Sequence, residues 1–353
     1  MIPTAAETDQ PRVVAFGEVM LRLAAPGRER LGQGSHLDVS VGGGEANVAV
    51  SLAQLGMRAD LVTRLPANPL GELVVRVLRG LGVGTAFVQR GGDRVGLYFL
   101  EPGAAQRPSR VVYDRSGSGA ATIDPATIDW PDLMRGASWF HTTGITPAIS
   151  EPAARAALDG VTAARALGVP VSIDMNYRSS LWRWGGNVRE VMSALGERAD
   201  VLIGNEEDAD KVFGIRADGA RPEDGQIDEA GYEGVCARLH ERFPDVRSIA
   251  LTLRTSHSAS HNGWSGCLWH EGRFHSGRTY DITPIVDRVG AGDAFAAGLI
   301  HGLLTRRASP ADVLEFAIAA GCLKHSIPGD FNLVGREEIE ALMAGHGSGR
   351  IVR

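Results

Sequence analysis

Lysine is almost missing from this chain. Among its 353 residues only Lys211 and Lys324 are lysines, so nearly all of the 36 basic residues are arginines. No G-K-[ST] occurs anywhere, which excludes a Walker-type phosphate loop. Cysteine is scarce too: Cys236, Cys267 and Cys322 are odd in number, scattered and without C-x-x-C spacing. A reducing compartment, the cytoplasm, is the natural expectation. No uninterrupted apolar run reaches membrane-spanning length, and the polar first dozen residues lack the apolar stretch of a secretory signal. There is no basic excess either. The 36 Lys and Arg stand against 42 Asp and Glu, a net charge of −6, which argues against a nucleic-acid partner. With 44% hydrophobic and 22% charged residues the composition is that of an ordinary globular protein. The length permits two domains by arithmetic, but large α/β folds reach this size as one.

What is present is a tight glycine turn feeding a helix. Residues 287–300 read D-R-V-G-A-G-D-A-F-A-A-G-L-I. Gly290, Ala291 and Gly292 precede Asp293, and a run of small apolar residues suited to a buried helix follows. The first amide N–H groups of a helix have no partner within it, and the dipole there favours anions. Glycine lets the backbone approach a phosphate closely. A carboxylate in such a turn either caps the helix or accepts a proton from a hydroxyl that attacks the phosphate. A second glycine turn, Gly42, Gly43 and Gly44, leads into residues 45–56, whose apolar positions recur at helical spacing. It reads as a turn packed on a strand, or as a floor of amides for a polyhydroxylated ligand.

Strands are expected near 13–18, 94–100, 110–115, 137–144, 169–174, 201–205 and 248–253, the last running into a loop, with a helix over 152–167. Strand and helix in alternation, with polar residues at strand C-termini, predict a doubly wound α/β fold that binds ligands at those ends. The pair 94–100 and 110–115, carrying Tyr98, Tyr113 and Arg115, predicts a small antiparallel flap. Residues 1–11 read as a frayed tail and 217–228 as a polar surface loop. In D-x-N-x-R-x-x-L-W, residues 174–182, Arg178 follows a strand end, where its planar fork suits a carboxylate if it faces a pocket. Asn205-Glu206-Glu207-Asp208 suits the acidic first turn of a helix. His257, His261, His270 and His275 surround Cys267, but spacings of 4, 9 and 5 match no standard zinc set, so polar loop histidines are expected.

These stretches resemble the ribokinase-like (PfkB) carbohydrate kinases. Residues 287–298 are similar to the family's signature D-[TPSV]-x-G-A-G-D-x-F-x-x-G, with Arg288 where a small or hydroxylated residue is usual. Residues 42–49 resemble its G-G-x-x-x-N-x-A, with Pro66 replacing a later glycine. R-L-P-x-N-P-L-G at 64–71, Y-D-R at 113–115, the 174–182 motif and residues 321–332 look like the branch acting on 2-keto-3-deoxygluconate. The likeness runs from about residue 13 to about 340.

The resemblance implies one ribokinase-like domain over 12–345: a doubly wound, mostly parallel sheet flanked by helices, with a β-sheet lid from about 18–40 and 92–118. It implies an ATP- and Mg²⁺-dependent kinase acting on the terminal hydroxyl of an acidic keto-deoxy sugar. Kinases of fructose, ribose or 5-keto-2-deoxygluconate, or a non-catalytic sugar-binding member, are the alternatives. Asp293 would be the base and Gly290, Ala291 and Gly292 the anion turn. Gly43, Gly44 and Asn47 would hold sugar hydroxyls. Tyr98, Tyr113, Arg115 and Arg178 would orient the acid end, the two arginines as a pincer. Asn205, Thr252, Arg254, Lys324 and Asn332 would join Gly290 and Gly292 around the nucleotide. Asp208, in the place of the family's glutamate, would hold Mg²⁺ through water, and Asp287 would adjoin a monovalent cation such as K⁺. Open lid edges suggest a homodimer.

Overall fold

A computed structural model of the chain describes residues 10–217, 229–305 and 309–346. Residues 1–9 of the tail expected at 1–11, and residues 218–228 of the polar loop expected at 217–228, lie outside them. In chain order the strands are β1 (Arg12–Phe16), β2 (Met20–Ala24), β3 (Asp38–Gly42), β4 (Arg58–Leu65), β5 (Val88–Arg90), β6 (Gly96–Glu101), β7 (Arg110–Asp114), β8 (Trp139–Thr143), β9 (Val171–Asp174), β10 (Val201–Gly204), β11 (Ser248–Ser258), β12 (His261–His270), β13 (Arg273–Ser276) and β14 (Tyr280–Ile282). The helices are α1 (Gly44–Gln54), α2 (Pro69–Gly80), α3 (Trp130–Met134), α4 (Ile145–Ile149), α5 (Glu151–Ala166), α6 (Val188–Gly196), α7 (Glu206–Phe213), α8 (Glu229–Arg242), α9 (Ala291–Leu304), α10 (Pro310–Lys324) and α11 (Arg336–Met343).

The main sheet runs β13-β12-β11-β10-β9-β8-β1-β4-β5, with β14 also on β12. From β5 to β11 every pairing is parallel, and antiparallel partners finish the β12 edge. Its central strands are buried along their whole length and β1 contains an apolar run, VVAF, because helices cover both faces. Alternation along β1 shows it: Val13 and Ala15 join the core with Leu52, Phe295 and Ile318 under α1, α9 and α10. Val14 and Phe16 join Phe140, Val161 and Leu239 under α5 and α8. This is the expected doubly wound architecture. Among the described residues no helix is long and apolar enough to cross a membrane.

A separate sheet, β3-β2-β6-β7, stands beside it. Met20, Ala24, Tyr98 and Leu100 form its buried cluster, while β7 is exposed along its length. The pair expected at 94–100 and 110–115 is antiparallel, β6 with β7, but the flap also has a parallel pair, β2 with β6, at its centre. A second difference concerns the loop expected after residue 253. There β11 continues to Ser258 and folds back as β12, so residues 248–270 form one long hairpin. The histidines are therefore strand residues. His257 and His261 lie at the hairpin tip, while His270 ends β12 and His275 sits on β13.

Candidate active site

The parallel strands end together, and the turns that follow them meet the small sheet around a cavity of roughly 550 Å³. At its floor Gly290 caps α9 in the left-handed region, with φ of 85°. A side chain there would also overlap the Asp330 carbonyl oxygen, so only glycine serves. Gly292 opens the other way: a Cβ on it would meet nothing within 4 Å, and it lines the cavity. Ala291 is fully buried beneath the turn.

Asp293 does not cap its helix. Its Oδ2 instead accepts a hydrogen bond from Asn47 Nδ2 at 2.7 Å, and Asn47 Oδ1 accepts from the Gly43 amide at 3.2 Å. The N-termini of α1 and α9 thus converge on one carboxylate, with Gly43 and Gly44 on the same wall. Gly43 has to be glycine, because a Cβ would overlap the Glu18 carbonyl oxygen. Burial pushes the Asp293 carboxyl up to about 6, against the lowering effect of the Asn47 hydrogen bond. The capping reading of Asp293 is overturned; the carboxylate faces the cavity.

The opposite wall comes from the ends of β9, β10 and β11. Burial, then the charges of Asp208 and Asp293, push the Asp174 carboxyl well above its usual range. Asp208 accepts from the Tyr177 amide at 2.9 Å and the Asn205 amide at 3.2 Å, and Asn205 Oδ1 accepts from the Asp208 amide at 2.8 Å. That reciprocal cap explains why aspartate suits this position: its short side chain closes the box on α7. Burial raises its carboxyl too. Thr252 Oγ1 donates to the Gly204 carbonyl at 3.3 Å, and Thr252, Asn205 and Glu207 line the cavity. Asn176, also on the wall, has φ of 33° and a side-chain oxygen with no partner.

Arg178, Arg254 and Arg288 line the same cavity. Arg254 stacks over Trp264, 5.4 Å from the ring centre. It stays open to the cavity but is hemmed in by protein, and that burial, with Arg288 and Arg178 nearby, pushes it down to about 10. Arg288 donates to the Ala259 carbonyl at 2.8 Å, bracing the hairpin tip. Among the described residues none of the three has a carboxylate at ion-pair distance.

The expected pincer of Arg115 and Arg178 needs correction. Arg115 lines the cavity, but its Nε donates to buried Glu18 at 2.6 Å, and Ser118 donates to the same carboxylate. Its charge is already matched. Tyr98 is buried with its hydroxyl donating to Asp330, while Tyr113, opposite it in register and 6.1 Å away ring to ring, is the more exposed of the pair.

Two residues expected at the nucleotide are elsewhere. Lys324 is fully buried and donates to the Ile327 carbonyl at 3.0 Å. Asn332 is buried with its amide towards Ser51 Oγ, 3.5 Å, and the Ala320 carbonyl, 3.4 Å. Neither lines the cavity, because the end of α10 and the following turn point inward. Asp287 lies behind the turn, paired with Arg22 at 2.5 Å. Sequence reasoning missed Arg22, Glu18, Arg288 and Asp330. Asp330 had a signal, its place in the 321–332 stretch that carries part of the resemblance; in the fold it packs against Gly42 and Gly290. The histidine cluster is split. His257 and His261 lie 4.5 Å apart, tilted at 42°, beside Asp281, their ligand atoms within 4.8 Å of one another, whereas Cys267 is buried beside Cys236.

A glycine turn at a helix tip, an uncapped aspartate and a cleft at the strand ends define a phosphoryl-transfer site. The family model for pfkB family carbohydrate kinases matches residues 10–332, and the chain belongs to that family. The 2-dehydro-3-deoxygalactonokinase of Haloferax volcanii is 31% identical over 339 residues, 96% of this chain and 98% of that protein. The 2-dehydro-3-deoxygluconokinase of Thermoproteus tenax is 26% identical, over 90% of this chain and 89% of that one. The crystal structure of the 2-dehydro-3-deoxygluconokinase of Thermotoga maritima superposes with a TM-score of 0.89 at 44% identity, covering 95% of this chain and all of that one.

Proposed function

We propose that this carbohydrate kinase transfers the terminal phosphoryl group of ATP to the terminal hydroxyl of an acidic keto-deoxy sugar, 2-keto-3-deoxygluconate first among them. The observation that carries the reading is Asp293: a buried carboxylate, uncapped, open to the cavity and aimed between two helix N-termini. It accepts the hydroxyl proton as the oxygen attacks phosphorus. The amides of residues 290–293 stabilise the charge on the transferring group. Gly43, Gly44 and Asn47 hold sugar hydroxyls, with Tyr98 and Tyr113 beside them. Thr252, Asn205 and Arg254 border the nucleotide. The carboxylates of Asp208 and Glu207 are hard oxygen donors that suit Mg²⁺ held through water; bound with the nucleotide, the ion neutralises phosphate charge.

The cavity arginines support an acidic substrate, because a neutral sugar would leave Arg178 without a direct ion-pair partner, its charge felt only by Asp174, Asp208 and Asp293. The names of the relatives point the same way. A homodimer is supported by β7, an exposed edge strand carrying Val111 and Val112 at 42% and 54% exposure. The three unpaired cysteines support a reducing, cytoplasmic setting.

The test is ADP release across a panel of keto-deoxy acids, fructose, ribose and 5-keto-2-deoxygluconate, with wild type and Arg178→Ala. Acids should lead, and the variant should lose about 1.5–3 kcal/mol, roughly 10- to 100-fold in kcat/KM, on acids and little on neutral sugars. Equal losses on both would remove the carboxylate contact. No ADP release with any sugar would favour a non-catalytic binding protein.

A further inference from the structure

Behind the catalytic turn two acids already hold the chain's own cations. Asp287 Oδ2 accepts from Arg22 at 2.5 Å and from the Gly329 amide at 3.1 Å, and Oδ1 accepts from the Val289 amide at 3.0 Å. Asp330 Oδ1 accepts from Arg22 at 2.9 Å and from the Tyr98 hydroxyl. Lys324 has no exposed surface; its ammonium donates to the Ile327 carbonyl at 3.0 Å, and the acids whose charge acts on it are Asp287, Asp330 and Asp293.

The family resemblance implies a monovalent cation beside Asp287, and these residues do not fit one. Such an ion needs carboxylate and carbonyl oxygens free to surround it. Here the Asp287 carboxylate and the Ile327 carbonyl are occupied by cationic donors. Burial pushes the Lys324 ammonium down and the charges of Asp287 and Asp330 hold it up, so that with Arg22 two cations stand against two acids. A further positive ion would be unmatched in surroundings where like charges repel strongly. The same acids hold the turn: Asp287 takes the Val289 amide, and the Asp330 backbone packs against Gly290.

We propose that Arg22 and Lys324 are positioning residues that supply from within the chain the positive charge behind residues 287–293, so that turnover needs no potassium or other monovalent cation. The inference rests on the kinase reading above, and its test separates the two.

Wild type is placed in a tetramethylammonium buffer free of alkali ions, and K⁺, Na⁺ or NH₄⁺ is added. Sugar-dependent ADP release and the melting temperature are both read. Turnover should stay within about twofold, and melting should not rise specifically with K⁺, since an ion that binds the native state stabilises it. Lys324→Met should lose at least about tenfold in kcat at little change in sugar KM, regain part of it with K⁺ or NH₄⁺, and acquire a K⁺-dependent melting temperature. Lys324→Arg should retain both the rate and the indifference to K⁺. Arg22→Gln carries the same readouts should Lys324→Met fail to fold. Activation of wild type several-fold by K⁺, or a K⁺-specific rise in its melting temperature, overturns the proposal. So does a folded Lys324→Met with wild-type kcat or without cation rescue. If no sugar is phosphorylated, the kinase reading fails while the melting measurements still decide the cation question.

Discussion

Two groups of cations flank the Asp293 turn in opposite electrostatic states. Behind it, Arg22 forms ion pairs with Asp287 and Asp330, and Lys324, buried beside them, donates to the Ile327 carbonyl and feels the charge of both acids. In front of it, Arg178, Arg254 and Arg288 share a cavity wall with no carboxylate at ion-pair distance among the described residues. The matched group is complete without a ligand. Burial first, and then repulsion from Arg288 and Arg178, pushes Arg254 down to about 10. Asp174, Asp208 and Asp293 act on Arg178 and Asp287 on Arg288 from beyond ion-pair distance, and an incoming anion, such as a nucleotide phosphate or a sugar carboxylate, would supply the direct partner. Whether an arginine is structural or functional here follows from whether its charge is already answered.

Asp293 sits between the two groups, and its removal should have the largest effect. Asp293→Asn should lower kcat by about 10²- to 10⁴-fold, the usual scale of general-base catalysis, while calorimetry shows sugar affinity nearly unchanged. In wild type, kcat/KM should fall as pH drops below about 6. Burial raises this carboxyl to about 6, and only its ionised form accepts the proton. Near-normal turnover in the variant would remove Asp293 as the base.

The next effect separates the two groups directly. Arg22→Met should cost about 3–5 kcal/mol of stability, since it leaves Asp287 and Asp330 buried without their partner. Arg254→Met should cost less than about 1 kcal/mol, because it relieves repulsion as it removes packing on Trp264, yet it should raise the KM for ATP. Chemical denaturation of both variants reads the difference. Equal losses would erase the contrast between matched and unmatched charge.

Much of this was legible in the sequence for physical reasons. Buried parallel strands are often continuous apolar runs, and anion turns need glycine, so β1, β10 and the 290–293 turn announce themselves. Asp293, Asn47 and Arg178 belong to short local patterns, and they do meet in one cavity. What was hidden depends on contacts between distant segments. Arg22 and Asp330 are 308 residues apart, and nothing local marks them as partners. Lys324 and Asn332 lie on a segment that resembles a nucleotide-facing one, but the direction of a helix end decides which side of a wall a side chain occupies. Arg115 was read correctly as reaching the cavity. Its pairing with Glu18, 97 residues earlier, was not visible. The long hairpin was missed because its serine- and histidine-rich tip reads as a loop although β11 and β12 remain paired there.

Glu45 offers a third electrostatic state and the smallest of the expected effects. It is buried at 1% exposure with no cation partner among the described residues, and Oε1 accepts from the Thr143 amide and hydroxyl, both at 2.9 Å, and from Thr146 Oγ1 at 2.6 Å. Burial outweighs these bonds and pushes the carboxyl up to about 7 from 4.5. A carboxyl raised in the folded state favours folding while protonated. Its contribution is therefore complete below about 4.5 and lost as pH rises through about 7. Glu45→Gln keeps an oxygen for Thr143 and Thr146 and removes the charge. Other raised acids, Asp174 among them, titrate in both proteins, so the informative quantity is the difference between variant and wild type. Relative to wild type, the variant should gain stability between pH 5 and pH 8, by an amount on the order of 3 kcal/mol at most. A constant difference across that range would mean that Glu45 is already ionised in the fold and that water or a cation, not the two threonines alone, answers its charge.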